Sequence, residues 1–541
     1  MPQMGAHVTR RDLLRTSLGA AAGLALTACG DGGPAIPLAD NAKVRLPEYI
    51  PYQGITPDLP GTLEVLDGHL HYPAEPVTAF PGGPPAKGPA ISIMTMTFSP
   101  VPPPIERNTY WQALNRSLGT KLRLEIAPIA DYPSKFPVII AGGDLPDAMA
   151  VRQEIPQRPA MLNALFQDLS EHLSGSAIHE YPYLANLPTA SWRTTVYNGG
   201  IYGLPMPRAS VGSVMFYRAD RMREKSLDPN VRDFREFRQL CTELNDPRRS
   251  RYALGDPLTT LYFVLEMLGV PNQWRETQGR FTSWLEDERL PQGLDAVRQL
   301  AQAGLLHPDA FSVAGKFKDW FGSGQIAIHY DGNAAWNDFY RRYAQDTPGF
   351  AIDGMLAPGF DGGPGTHWTG ASSFAMLAFK KAPRERIRQL LRACNALAAP
   401  FGTDAYKLRK YGVEGVDHEL NGADPILTPT GGVETTVPTI FITDSPMSLY
   451  FPENPDVVPA QHAFQKRAAE VLVRDPSEGL YSETDVTVGG PLMETMRNEL
   501  KAIMQGRKSV SSWTHTMRSW RRESGDRIRS EYERYWESIN R

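Results

Sequence analysis

Between residues 90 and 151 the chain switches repeatedly between a strand-like and a helix-like apolar pattern, and few folds accept that alternation. Ile91-Ser92-Ile93-Met94-Thr95-Met96 reads as a buried strand, and after a Pro-rich loop a helix carrying Trp111 and Leu114 runs to Gly119. Residues 121–127 form a second predicted strand, 132–140 a helix stopped by Gly142-Gly143, and 147–151 a third strand. Strand, helix, strand, helix, strand in one direction demands a parallel sheet covered by helices, so the expected class is α/β. Pro137 lies inside the second helix, where a missing N–H and a ring clash should kink or shorten it. The alternation resumes with helices over 233–244 and 292–303, strands over 325–330 and 374–379, and a helix opened by Pro383 and running to 398. At the C-terminus Trp513, Met517, Trp520, Ile528, Tyr532, Trp536 and Ile539 fall on one face of a long amphipathic helix, which reads as a packing face.

The N-terminus carries an export signature. Thr9-Arg10-Arg11-Asp12-Leu13-Leu14-Arg15 precedes a small apolar stretch over 18–28, and Leu26-Thr27-Ala28-Cys29 follows. As a helix that stretch spans about 16 Å against about 30 Å of hydrocarbon, so it reads as a cleavable signal and not a membrane span. Arg10 and Arg11 resemble a twin-arginine export signal, and the last four residues resemble a lipobox. The expectation is cleavage before Cys29, acylation of its thiol, and residence on the outer face of the membrane, with two acyl chains giving stable anchoring. Loss of residues 1–28 removes Arg10, Arg11, Arg15 and Asp12, which turns 56 basic and 60 acidic residues into 53 and 59. That balance argues against a nucleic-acid partner.

Residues 29–89 are rich in Pro and Gly, as in Phe80-Pro81-Gly82-Gly83-Pro84-Pro85, and read as a tether whose Tyr49, Tyr52 and Tyr72 lie along the folded body. His69 and His71 form an isolated pair without further ligands nearby, and no metal site is expected. Beyond Cys29 only Cys241 and Cys394 remain; each falls on an apolar helical stripe and reads as a small core residue, with no disulfide expected.

Four segments together resemble the extracellular solute-binding proteins of the maltose-binding-like superfamily, in particular the large oligosaccharide-binding lipoproteins of Gram-positive ABC importers. They are Ala141-Gly142-Gly143-Asp144-Leu145-Pro146-Asp147; Tyr197-Asn198-Gly199-Gly200-Ile201-Tyr202-Gly203-Leu204-Pro205 leading into Met215-Phe216-Tyr217-Arg218-Ala219-Asp220; Phe321-Gly322-Ser323-Gly324-Gln325-Ile326-Ala327-Ile328; and Tyr411-Gly412-Val413-Glu414-Gly415. The order and spacing carry the likeness, which covers roughly residues 90–541. It implies a two-lobe periplasmic-binding-protein-like fold (type II), with discontinuous lobes at 90–208 plus 366–425 and 209–365 plus 426–541, joined by two or three hinge crossovers. It also implies a receptor that takes a carbohydrate in the cleft, delivers it to ABC permease subunits, needs no cofactor and acts as a monomer.

A sugar cleft needs rings for C–H faces and planar polar groups for hydroxyls. The loops after predicted strands offer Trp111, then Arg152, Gln153 and Glu154, where relatives place polar contacts. Asp331, Asn333 and Trp336 resemble, with an offset tryptophan, a segment that supplies a stacking ring in the superfamily. Trp368 sits in a Gly-rich loop where an exposed ring has few structural reasons to be. Tyr197, Arg208 and Tyr411 fit core, hinge or contact equally. Some related alginate binders carry a calcium loop, but Asn245-Asp246-Pro247-Arg248-Arg249-Ser250-Arg251 puts arginines where oxygen ligands would stand, so no calcium is expected there. No nucleophile elbow, His-Glu-x-x-His, Walker loop or Cys-x-x-Cys appears, so an exported carbohydrate-active enzyme is disfavoured. A peptide or other small solute remains the alternative cargo.

Overall fold

Two separate sheets organise the computed structural model, which describes residues 38–313 and 315–540. Besides three small hairpins, the strands in chain order are β1 (Ile91–Thr97), β2 (Leu122–Pro128), β3 (Ala148–Arg152), β4 (Leu204–Pro207), β5 (Ser213–Arg218), β6 (Tyr252–Leu254), β7 (Ile326–Gly332), β8 (Ile352–Met355), β9 (His367–Trp368), β10 (Ser373–Phe379) and β11 (Leu472–Val473). The first sheet has the order β2-β1-β3-β10-β4 and the second β8-β5-β7-β6. β1 runs parallel to β2 and β3, as the alternation demanded, while β10 returns antiparallel to both β3 and β4. The signals at 141–152, 196–207 and 373–379 therefore meet in one sheet although they lie far apart in sequence.

Each sheet has its own core. Ile93, Met94, Trp111, Trp192, Phe379 and Leu391 belong to the first; Phe237, Phe263, Leu294, Ile328, Trp368 and Trp513 belong to the second. A further cluster around Phe216, Trp336, Phe339 and Phe464 fills the other face of the second sheet. Cys394 and Cys241 are buried free thiols in the first and second cores respectively.

Three segments carry the chain between the lobes, at 208–212, 369–372 and 443–449. The first two run against each other: the Gly370 amide donates to the Ser210 carbonyl at 3.0 Å, and a Cβ on Gly212 would lie only 2.5 Å from the Gly370 Cα. Glycine is required there by contact between backbones. The second and third crossovers fall later than the sequence suggested. Trp368 sits in the second core because β9 pairs with β11, and Val437, Phe441 and Ile442 still pack in the first.

Two local expectations also change. Pro137 does not shorten its helix, which runs Tyr132–Gly142; only the bond back to Pro133, in the first turn, is lost. The long C-terminal helix is two, Ser512–Trp520 and Asp526–Asn540, joined by a wider π-helical turn over Arg521–Gly525. Trp513, Met517, Trp520, Ile528 and Tyr532 are buried in the second core, as a packing face should be.

Residues 38–89 are a belt and not a loose tether. Asn41 bridges the lobes: its amide nitrogen donates to the Tyr535 hydroxyl at 2.6 Å and its oxygen accepts from the Gly199 amide at 2.7 Å. Gly199 follows Asn198 in an Asn-Gly turn with φ of 75° and 51°, which closes a hairpin between Val196–Tyr197 and Gly200–Ile201. Further on, Leu59, Leu66 and Leu70 pack on the second lobe, and Leu449 bonds to both Asp67 and His69 through its backbone. Tyr72 then returns to the first lobe beside Phe401 and Tyr406, its hydroxyl donating to the Thr403 carbonyl at 2.6 Å. His69 stacks on Phe401 and His71 bonds to Asp424 at 2.7 Å, which accounts for both imidazoles within the fold. The expected signal, Arg10, Arg11 and the Cys29 lipidation site lie outside the described residues.

Candidate functional site: the cleft between the lobes

Strand polarity decides which residues face the cleft. β1, β3 and β4 end at the same edge of the first sheet, where β10 begins, so Phe98, Gln153, Glu154, Arg208 and Phe374 share that edge. In the second sheet β7 ends beside the start of β5, and the Asn333 amide donates to the Gly212 carbonyl at 3.0 Å. Open α/β sheets take ligands at such strand ends.

A cavity of about 500 Å³ is lined from both lobes. Gln153, Glu154 and Arg158 line it from the first lobe; Trp274, Trp284, Tyr481, Asp485 and Tyr532 are among those lining it from the second. Larger hollows elsewhere lie wholly on the first lobe, such as the one along β2 and residues 101–106, and do not join the lobes. Arg158 is buried, donates to the Arg152 carbonyl at 3.2 Å, and stacks between Tyr197 at 5.0 Å and Tyr481 at 5.4 Å. Tyr481 belongs to a segment, 475–483, that reaches from the second lobe onto the first, where Glu478 accepts the Ser372 amide.

The predicted residues divide. Arg152, Gln153 and Glu154 stand on the cleft edge: Arg152 pairs with Glu154 and lies 5.4 Å from the Phe374 ring, and Gln153 reaches the Ser373 carbonyl at 3.4 Å. Asp331 stands between Lys318 at 3.1 Å and His329 at 3.3 Å. Burial pushes its carboxyl up, but His329, Lys318 and the Gly332 amide outweigh burial and hold it below the usual range. Asn333 is buried, and its side-chain oxygen has no hydrogen-bond partner among the described residues.

The three tryptophans are corrections. Trp336 is fully buried, edge-on to Phe216 at 5.3 Å and Phe464 at 6.0 Å. Trp111 packs in the first core. Trp368 is not the exposed ring its Gly-rich loop suggested: its indole N–H donates to the Val270 carbonyl at 2.9 Å, and its backbone amide donates to Glu266 at 2.8 Å. Glu266 itself is buried, which raises its carboxyl to about 8, and burial lowers the adjacent His367 to about 4. Apolar cores on both sides of each sheet claim these rings before a cleft can.

Sequence reasoning missed Phe98, Phe374, Phe441 and Lys410. Phe98 is 61 % exposed and its ring lies 5.8 Å from Phe374 and 5.5 Å from Phe441. Its signal was available, since it lies two residues beyond a predicted strand; Phe441 precedes the third crossover and Lys410 pairs with Asp444 on it, a meeting no local pattern announces.

Two lobes, each an α/β layer, joined by three crossovers around a polar and aromatic cleft define a ligand-capturing architecture, and one comparison decides the family. The profile of bacterial extracellular solute-binding proteins matches residues 105–394. This chain belongs to that family. Among curated proteins, this solute-binding protein is 22 % identical over 462 residues to a polygalacturonan/rhamnogalacturonan-binding protein, YtcQ, of Bacillus subtilis, covering 82 % of this chain and 90 % of the relative. Among solved structures it resembles the N-glycan transport solute-binding protein NgtS of Streptococcus pneumoniae (TM-score 0.61, 16 % identity, 84 % of this chain and 99 % of that one). An HMO-binding, ABC-transporter-associated solute-binding protein of Bifidobacterium longum infantis gives a TM-score of 0.62 at 12 % identity, covering 83 % of this chain and 99 % of that one. The solute-binding protein thus has the two-lobe fold of periplasmic binding proteins. No helix among the described residues is long and apolar enough to cross a membrane.

Proposed function

We propose that this solute-binding protein is the receptor of an ABC importer that captures an oligosaccharide between its lobes and hands it to membrane permease subunits without chemical change. The observation that carries this reading is the cavity of about 500 Å³ built jointly by both lobes, with rings beside amide, carboxylate and guanidinium groups. The saccharide ligands in the names of its relatives support the choice of cargo. Contacts from both lobes favour the closed arrangement, so ligand binding and lobe closure are one equilibrium. Arg152, Gln153, Glu154, Asp331 and Asn333 supply polar contacts to hydroxyls, and Phe98 and Tyr481 the ring faces. The protein acts as a monomer, exported through Arg10 and Arg11 and held on the outer face of the membrane by acyl chains on Cys29.

Thermal unfolding against neutral and acidic oligosaccharides, with peptides as controls, tests the reading. Ligand at about 100 times its Kd adds about 2.7 kcal/mol and shifts the transition measurably. A shift with saccharide, and unchanged saccharide afterwards, is expected; a shift with peptides alone, or consumption of the sugar, overturns it.

A further inference from the structure

Around Arg208 the ion pairs are unevenly shared. Glu154 is paired with Arg152, and Asp331 is held between Lys318 and His329. Asp444, on the third crossover, is bound by two cations at once, Arg409 Nη1 at 2.6 Å and Lys410 Nζ at 3.0 Å. Arg208, the first residue beyond β4, has no carboxylate within ion-pair distance among the described residues. Its Nη1 donates only to the Pro207 carbonyl at 3.1 Å, and its guanidinium lies 4.9 Å from the Phe374 ring and 6.0 Å from Phe441. The Asp444 charge acts on it, but that carboxylate is already shared. Three cations therefore face one anion in a partly desolvated corner. Removing a guanidinium from water without a partner is costly, and the cost disappears when an anion arrives.

The same corner presents an open apolar face. Phe98 stands exposed against Phe374 and Phe441, the two rings that flank Arg208. A ligand that satisfies both features has a flat C–H face and a carboxylate a few ångströms from it. A hexuronate residue has both on one ring, whereas a neutral hexose has only the first.

We propose that Arg208, supported by Lys410 and Phe98, forms a carboxylate subsite on the cleft floor, and that the captured oligosaccharide is acidic, containing hexuronate. This rests on the receptor reading above. Lys410 supports the subsite through position: its ammonium is fixed on Asp444 at 3.0 Å.

Isothermal titration of the purified full-length chain with tetragalacturonate, tetramannuronate, their fully methyl-esterified counterparts, maltotetraose and tetra-aspartate separates the possibilities. One acid tetrasaccharide is expected to bind at least about tenfold more tightly than its own ester, since a charge-assisted hydrogen bond exceeds a neutral one by about that much. Added salt should weaken the acid and leave the ester unchanged. R208Q should abolish the acid-over-ester preference, and R208K should recover part of it. If R208Q does not fold, the preference and salt dependence of the unaltered protein carry the test alone. Equal or tighter binding of an ester or of maltotetraose overturns the acidic subsite and leaves the receptor reading standing. An R208Q loss that is equal for acid and ester also overturns the subsite. Heat with tetra-aspartate only, or with none of the six, overturns both readings.

Discussion

Trp336 and Trp368 show how a single side chain changes meaning once its neighbours are known. Both stand in segments whose composition points to sugar stacking, yet Trp336 lies against Phe216 and Phe464 and Trp368 hangs from the Val270 carbonyl. Trp336→Ala is expected to cost about 3–5 kcal/mol of stability in urea unfolding, the range for emptying a buried aromatic site, while the refolded fraction keeps its ligand affinity. Glu266 gives a pH signature. Its carboxyl is raised by burial from 4.5 to about 8, so the folded protein holds a proton that the unfolded chain has released. The stability from that proton is fully present below about 4.5 and is lost as pH rises through about 8. Glu266→Gln, which keeps an acceptor for the Trp368 amide, should therefore raise the melting temperature at pH 8 and flatten its decline between pH 5 and 8 by calorimetry. At this scale the sequence was half legible. Arg152 to Glu154 were readable because a cleft residue follows the C-end of a strand, and the tryptophans were not, because burial depends on what packs against them from elsewhere in the chain.

At the scale of elements, period and turn chemistry sufficed for most of the molecule. The helix Phe234–Leu244 begins where Asp233 accepts the Glu236 amide, and β1, β2, β3, β7 and β10 stand within two residues of their expected bounds. Crossover positions were harder. Residues 426–442 were expected in the second lobe, and the packing of Val437, Phe441 and Ile442 into the first core places them there instead. The segment 475–483 was not legible as a bridge, since its Asp, Ser, Glu and Gly residues read as an ordinary loop. It makes a cross-lobe prediction: Glu478→Ala, which frees the Ser372 amide, should widen the ligand-free protein in small-angle scattering and speed ligand dissociation by several-fold, with melting temperature little changed.

For the whole molecule, the expectation is that ligand reduces the radius of gyration as the lobes meet. A chain beginning at Ala90 should melt well below the full protein, because Tyr72, Ala86 and the leucines at 59, 66 and 70 complete three of its apolar clusters. The belt also alters the mechanics. Besides the three crossovers, it passes from Ile55 on the first lobe to Leu59 on the second, and from Leu70 back to Tyr72. Those links can stretch to at most about 14 and 7 Å. Opening by separation of the lobes along a line would break them, and twisting would break Asn41's paired bonds to Gly199 and Tyr535. Five chain passages tether the two bodies, so a permease reading this receptor meets lobes whose separation is limited by the length of chain between them.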